Sequence, residues 1–341
     1  MKTINKNQIN KVLEAWAKEQ QVWVPWQQDE KTVVFAPLSE GKAAKINLNR
    51  VSTRLSPKGV LFPQTEKLYK FKNEADGLTI TEALASAPPT IIVGIRSCDV
   101  KAVLALDQVF LTRGYIDANY QAIRKNTTLV SLGCNEPLDT CFCSSFGVDP
   151  QEAEGSDLQM YDLGAEYGFK PRSEKGEKAL SQAGGLLTEK DVTPPKSREF
   201  TLKVELNGVT EKLQQAAMWD DPMWEKIAAR CLGCGTCTYV CPFCHCFDIQ
   251  GKTRGDKGFR YRCWDSCMYS DYTLMAGGHN PRPTQKERVR QRFMHKLRYF
   301  PERYQTYQCS GCGRCLQHCP VGIDIVEAIQ AVNAAQSGKG E

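Results

Sequence analysis

The sequence has no cysteine before Cys98, no run approaching eighteen apolar residues, only four histidines, and neither a G-x-G-x-x-G nor a P-loop pattern. Each absence excludes something. Without a long apolar run, no membrane span is expected. The opening Met1-Lys-Thr-Ile-Asn-Lys-Asn-Gln lacks the apolar centre of a signal peptide, so a reducing, cytoplasmic setting is expected. No nucleotide, flavin or nicotinamide signature is legible. No constellation able to activate a substrate stands out, so no catalytic residue is assigned. The histidines (245, 279, 295, 318) are scattered and read as structural, although His318 precedes a cysteine that it could tune by hydrogen bonding.

Against these absences stands an excess. The 341 residues carry sixteen cysteines, eight of them between Cys231 and Cys267. A chain this long buries enough core to do without disulfide staples. Tight clusters also favour metal ligation over the dispersed pairs that disulfides need. With 41% hydrophobic and 24% charged residues, the composition is that of a folded globular protein. The formal charge of +5 is uneven: residues 252–303 hold thirteen Lys or Arg against five Asp or Glu. That basic stretch lies between the two densest cysteine motifs.

Hydrophobic periodicity predicts an amphipathic helix over 6–19, with Ile9, Val12, Leu13 and Trp16 on one face. Short strands are expected at 22–24 and 32–35, and 41–70 reads as irregular. From Thr90 an apolar strand, a helix over 100–111 and a second apolar strand over 128–133 spell a βαβ unit with parallel strands. Later helices are expected at 208–217, 221–230, 284–299 and 323–335.

Two runs carry the chemistry. Cys231-Leu-Gly-Cys234-Gly-Thr-Cys237-Thr-Tyr-Val-Cys241-Pro242 and Cys309-Ser-Gly-Cys312-Gly-Arg-Cys315-Leu-Gln-His-Cys319-Pro320 share the C-x2-C-x2-C-x3-C-P spacing. Three closely spaced thiolates can wrap one face of a 4Fe-4S cubane, and the intervening glycines let backbone N–H groups approach its sulfides. In two-cluster ferredoxins the fourth cysteine crosses to the other cluster. Cluster I is therefore assigned to Cys231, Cys234, Cys237 and Cys319, and cluster II to Cys309, Cys312, Cys315 and Cys241. Two zinc sites are the alternative. A radical-SAM triplet is also spelled by Cys237-x3-Cys241-x2-Cys244, but no repeating βα units follow it. The 67 residues between Cys241 and Cys309 read mostly as helix, with no compact strand signals. The fold class expected is α+β: an α/β domain over 1–210, then an α-helical ferredoxin-like domain over 211–341 binding two 4Fe-4S clusters.

Eight cysteines remain. Cys98 and Cys134 each follow a predicted parallel strand, at the sheet edge where open α/β sheets bind ligands. With Cys141 and Cys143 they form a candidate third 4Fe-4S site, against the alternative of inert buried thiols. Cys244, Cys246, Cys263 and Cys267 could hold a further metal or back the dicluster as structural thiols. The cations Lys286, Arg288, Arg290, Arg292, Lys296 and Arg298 could stabilise reduced clusters, dock a partner, or form a solvated helix face. Nucleic-acid binding is not expected, since no recognised module accompanies the charge.

Several segments resemble one family, which unites the iron–sulfur electron-transfer subunit of anaerobic sulfite reductase with the beta subunit of soluble sulfhydrogenases. They are Phe62-Pro-Gln-Thr-Glu-Lys-Leu, Gly94-Ile-Arg-Ser-Cys98-Asp99, Thr140-Cys141-Phe-Cys143, Cys241-Pro-Phe-Cys244-His-Cys246, Trp264-Asp-Ser-Cys267, Gly277-Gly-His279 and the two ferredoxin runs. The likeness spans roughly residues 60–325. It implies an electron-transfer subunit of an anaerobic oxidoreductase complex, placed between a flavoprotein subunit that oxidises NAD(P)H and a catalytic subunit. That partner would be a sirohaem sulfite reductase, slightly favoured partly on Gly277-Gly-His279, or a NiFe hydrogenase. The resemblance also supports the third cluster on Cys98, Cys134, Cys141 and Cys143. Cys244, Cys246 and Cys267 match the family pattern; Cys263 does not.

Overall fold

The strands, in chain order, are β1 (Lys2–Asn5), β2 (Gln21–Gln27), β3 (Val33–Pro37), β4 (Thr65–Glu74), β5 (Gly77–Glu82), β6 (Thr90–Ile95), β7 (Thr127–Leu132), β8 (Leu158–Asp162), β9 (Glu166–Pro171), β10 (Thr188–Glu189), β11 (Phe247–Arg254) and β12 (Lys257–Trp264). They belong to a computed structural model that describes residues 1–38, 45–83 and 87–335. The chain forms two compact units. The first comprises Met1–Pro137, Asp149–Glu199 and Phe247–Trp264; the second comprises Leu138–Val148, Phe200–Cys246 and Asp265–Glu341.

The first unit is built on an eight-stranded sheet of order β10-β1-β9-β8-β7-β6-β2-β3. Its centre is parallel, as the βαβ reading requires: β2 pairs with β6, β6 with β7, and β7 with β8. The outer pairs are antiparallel. Every residue of β6 and β7 is buried, because helices cover both faces. Ile91, Val93, Val130 and Leu132 pack against Val12, Leu13 and Trp16 of helix Ile9–Ala17. Ile92, Ile95 and Leu129 pack on the other side against Val100, Val103 and Leu106 of helix Ser97–Leu111.

The alternation of faces breaks at Gly94, where the β6–β7 register shifts. Gly94 has φ +81°, and a Cβ there would lie 2.8 Å from the Leu48 side chain. The bulge turns Ile95 onto the face of Ile92 and sets the direction in which Arg96 leaves the strand.

A second sheet in this unit, of order β11-β12-β4-β5, corrects two expectations. Residues 65–70 are strand rather than irregular, and the segment between the ferredoxin runs contains a hairpin. The division of the chain is also not one cut near residue 210. The hairpin β11–β12 joins the first unit because β12 pairs with β4, from Cys263 opposite Thr65 to Lys257 opposite Lys72. Trp264 stacks on Phe62 at 5.9 Å, and buried Arg262 lies 2.6 Å from Glu66 and also pairs with Asp117.

The second unit is helical. Its described helices include Val209–Gln214, Met223–Ala228, Gln285–Met294 and Ile325–Ala334, and none of the twelve strands falls within it. Trp224, Phe293, Leu297, Ile325 and Ile329 form its core. The helix over 284–299 is composite: α-helix to Met294, then a π-helical turn His295–Tyr299. Among the described residues no helix is long and apolar enough to cross a membrane.

The Arg262 pair gives a stability test of the hairpin. Burial pushes the Glu66 carboxyl up, and Arg262 opposes that rise. Arg262→Ala leaves Glu66 buried without its partner, and it is expected to cost about 3–5 kcal/mol in urea denaturation. A loss below about 1 kcal/mol, the value of an exposed pair, would contradict the buried placement.

Candidate metal centres

Both ferredoxin runs fold the same way. In each, a left-handed glycine (Gly235 or Gly313) starts one short helical turn that carries the third cysteine: Thr236–Tyr239 holds Cys237, and Arg314–His318 holds Cys315. The first cysteine of each run accepts from the chain just beyond it. Gly233 N donates to Cys231 Sγ at 3.5 Å, and Gly311 N donates to Cys309 Sγ at 3.4 Å. A third backbone donor, Ile323 N, reaches Cys319 Sγ at 3.2 Å. Such N–H···S bonds favour the thiolate, the ligating form.

The four cysteines assigned to cluster I meet in space. Cys231, Cys234, Cys237 and Cys319 line one cavity with about 450 Å³ of empty space open to solvent. Met268, Val289, Phe293 and Ile323 give it apolar walls, and Arg292 is its cation. Gln285 Nε2 donates to Cys231 Sγ at 3.3 Å, a contact with no sequence motif to announce it.

The second set is deeper. Burial pushes the Cys309 thiol up to about 12, with Lys296 opposing and Cys315 and Cys312 adding to the rise. Burial likewise raises Cys315, which Arg292 counters and Cys241 reinforces. The four thiols Cys241, Cys309, Cys312 and Cys315 therefore belong to one electrostatic neighbourhood, which Cys237 of the first set also adjoins. Lys296 Nζ donates to Cys241 Sγ at 3.2 Å and to the Gln308 carbonyl at 3.0 Å. Burial alone would lower the Lys296 pKa; the Cys241 and Cys244 thiolates outweigh it and raise it. Arg292 behaves in the same way, with Cys237 of one set and Cys315 of the other beside it.

These sites fit a buried anionic group. Arg292 Nε and Ser310 Oγ are both buried without a hydrogen-bond partner, each beside predicted ligands. An unpartnered buried polar atom costs roughly 1–3 kcal/mol. A cluster bound beside each would supply the missing acceptor. Among the described residues no three of His, Cys, Asp or Glu converge on one ion position. Of the Cys237-x3-Cys241-x2-Cys244 triplet, Cys237 lines the first cavity and Cys241 accepts a hydrogen bond from Lys296.

The other cysteines separate by unit. Cys98 and Cys134 lie in the first unit, and Cys141 and Cys143 in the second. Cys98 sits in the first turn of helix Ser97–Leu111, after β6, and Cys134 follows β7, its parallel neighbour. Buried Arg96 lies beside both thiols. Its guanidinium donates to the carbonyls of Leu48, Arg50, Leu132 and Gly133, while Nε has no partner. Cys141 and Cys143 are buried in the loop Leu138–Val148, which packs against the second ferredoxin run. Phe142 N donates to the Gly311 carbonyl at 2.9 Å, and a Cβ on Gly311 would sit 2.5 Å from the Phe142 oxygen.

Cys244, Cys246 and Cys267 are together in the second unit, whereas Cys263 belongs to the β11–β12 hairpin of the first, with Sγ 4.0 Å from the Asp248 carbonyl. Cys246 is held down at about 6 by a hydrogen bond from Cys267, against its burial and with help from Tyr272. Cys244 is raised well above its ordinary value, first by its hydrogen bond with Cys241 and then by burial.

Comparison with known proteins agrees with this chemistry. Residues 230–323 match the 4Fe-4S dicluster domain family. The chain is 31% identical over 299 residues to the sulfhydrogenase 2 subunit beta of Pyrococcus furiosus, covering 84% of this chain and 86% of that protein. No solved structure matches. The slight preference for sulfite reductase finds no support here, because this relative is a hydrogenase subunit. The chain belongs to the family of iron–sulfur electron-transfer subunits that includes this sulfhydrogenase beta subunit.

Proposed function

We propose that the protein relays single electrons through two cross-ligated 4Fe-4S clusters to or from the catalytic subunit of a NiFe hydrogenase. At the other end of the relay stands a flavoprotein that oxidises NAD(P)H. The observation that carries this reading is the cavity in which Cys319 joins Cys231, Cys234 and Cys237. Cys241, Cys309, Cys312 and Cys315 would hold the second cluster. When bound, such clusters supply one-electron storage with no bond chemistry on substrate. The chain's own residues do the rest. Ile323 N, Gly233 N, Gly311 N and Gln285 place donors on ligand sulfurs. Arg292 and Lys296 bring positive charge to buried anionic thiolates.

The third cluster expected on Cys98, Cys134, Cys141 and Cys143 belongs to the same proposal. It is supported in the first unit by Arg96, whose buried guanidinium would offset an anion near Cys98 and Cys134. Cys244, Cys246 and Cys267 are proposed as a further ligand group, without Cys263. The setting proposed is cytoplasmic.

Cross-ligation makes a specific prediction. Cys319→Ser should lose the cluster of the first run, and Cys241→Ser that of the second run. Each should therefore release about four irons while keeping the other EPR signal. If Cys241→Ser instead removes the cluster of its own run, the assignment is wrong. Iron analysis of the anaerobically purified chain should give about twelve atoms; about eight would remove the third cluster. The native complex should contain nickel. Sirohaem in its place would overturn the hydrogenase partner.

A further inference from the structure

The inward face of the composite helix over 284–299 is unusual. Val289, Arg292, Phe293, Lys296 and Leu297 are all buried. Val289, Phe293 and Leu297 are ordinary core residues. The other two are cations, and their i, i+4 spacing places them on one face of the helix. A buried cation persists only where an anion or a full set of acceptors compensates it. Lys296 has one neutral acceptor, the Gln308 carbonyl, and one thiol sulfur, Cys241 Sγ. The carbonyl cannot neutralise an ammonium; a ligating thiolate can.

The two cations differ in reach. Arg292 has Cys237, Cys315, Cys244 and Cys241 as its strongest charge partners, which spans both predicted ligand sets. Lys296 also has Cys237 within its electrostatic reach, but its hydrogen bond goes to Cys241 Sγ of the second set, and Cys241, Cys244 and Cys309 are its strongest charge partners. Lys296 makes a direct hydrogen bond from a cationic group to a predicted cluster-ligand sulfur.

We propose that Lys296 is a positioning residue for electron transfer: its ammonium on Cys241 Sγ selectively raises the reduction potential of the cluster held by Cys241, Cys309, Cys312 and Cys315. The proposal rests on the two-cluster reading above. Reduction adds one electron and one negative charge to that cluster. A fixed cation hydrogen-bonded to a ligand sulfur therefore stabilises the reduced form more than the oxidised one. Arg292 acts on both clusters and shifts them together. Lys296 separates them, favouring residence of the electron on the second cluster.

The test is an EPR-monitored redox titration of the anaerobically purified full chain. Lys296→Met keeps the length and apolar stem and removes the charge. At fixed potential it should lower the reduced-to-oxidised ratio of one cluster at least tenfold, equivalent to about 59 mV for one electron. The other midpoints should move by clearly less, since only the second set contains the sulfur that Lys296 hydrogen-bonds. Lys296→Arg should restore most of the shift, and Lys286→Met, a partly exposed cation of the same helix, should leave every midpoint in place. Unchanged midpoints in Lys296→Met, or equal shifts of both dicluster midpoints, would overturn the proposal. If Lys296→Met does not retain both clusters, Lys296→Gln keeps an N–H donor and decides between the same two outcomes. Failure of the two-cluster reading looks different: the unaltered chain would then lack the two cluster signals that the ferredoxin runs should give.

Discussion

The second unit depends on bringing cysteines from two runs, 67 residues apart, into shared sites. Cys319 lines the cavity of the first run, and Cys241 lies in the electrostatic neighbourhood of the second. The cost is the burial of several thiolates in a small helical unit, each of which would resist ionising on its own. Burial is the leading cause that raises Cys237, Cys309 and Cys315. The fold answers with backbone N–H groups on sulfur and with two cations on the helix face that closes the core. The hydrophobic residues between them, Val289 and Phe293, anchor that helix to Trp224 and the helix Ile325–Ala334. Packing and charge compensation are thus supplied by the same element.

The first unit solves a different problem. Its fully buried parallel strands require helices on both faces, and the bulge at Gly94 re-aims the chain where β6 meets its crossover helix. Arg96, just beyond the bulge, ties the end of β7 to the segment at Leu48 and Arg50 through four backbone carbonyls. Cys98 and Cys134 stand on that tied edge.

Much of this was legible in the sequence. The C-x2-C-x2-C-x3-C-P spacing is local chemistry, and it announced the ferredoxin runs directly. The βαβ unit was legible because strands buried on both faces are continuous apolar runs. The β4–β5 and β11–β12 hairpins were not, because their strands are interrupted by Lys, Arg and Glu and carry exposed residues such as Ile80 and Ile249. Their two-residue loops, Ala75-Asp76 and Gly255-Asp256, were the signal to follow. The pairing of β12 with β4 is a contact between distant segments, and no local pattern encodes it. Lys296 was visible as part of a basic stretch. That it turns inward could be inferred only from its i, i+4 relation to Arg292 and its place among Val289, Phe293 and Leu297.

The central claim is that the two runs hold two clusters close together rather than two separate centres. Low-temperature EPR of the fully reduced chain tests it most directly. The account predicts a spectrum broadened and split by magnetic interaction between two neighbouring 4Fe-4S clusters, one that the sum of the two half-reduced spectra does not reproduce. A fully reduced spectrum equal to the sum of independent clusters, or one with no iron–sulfur signal, would contradict it.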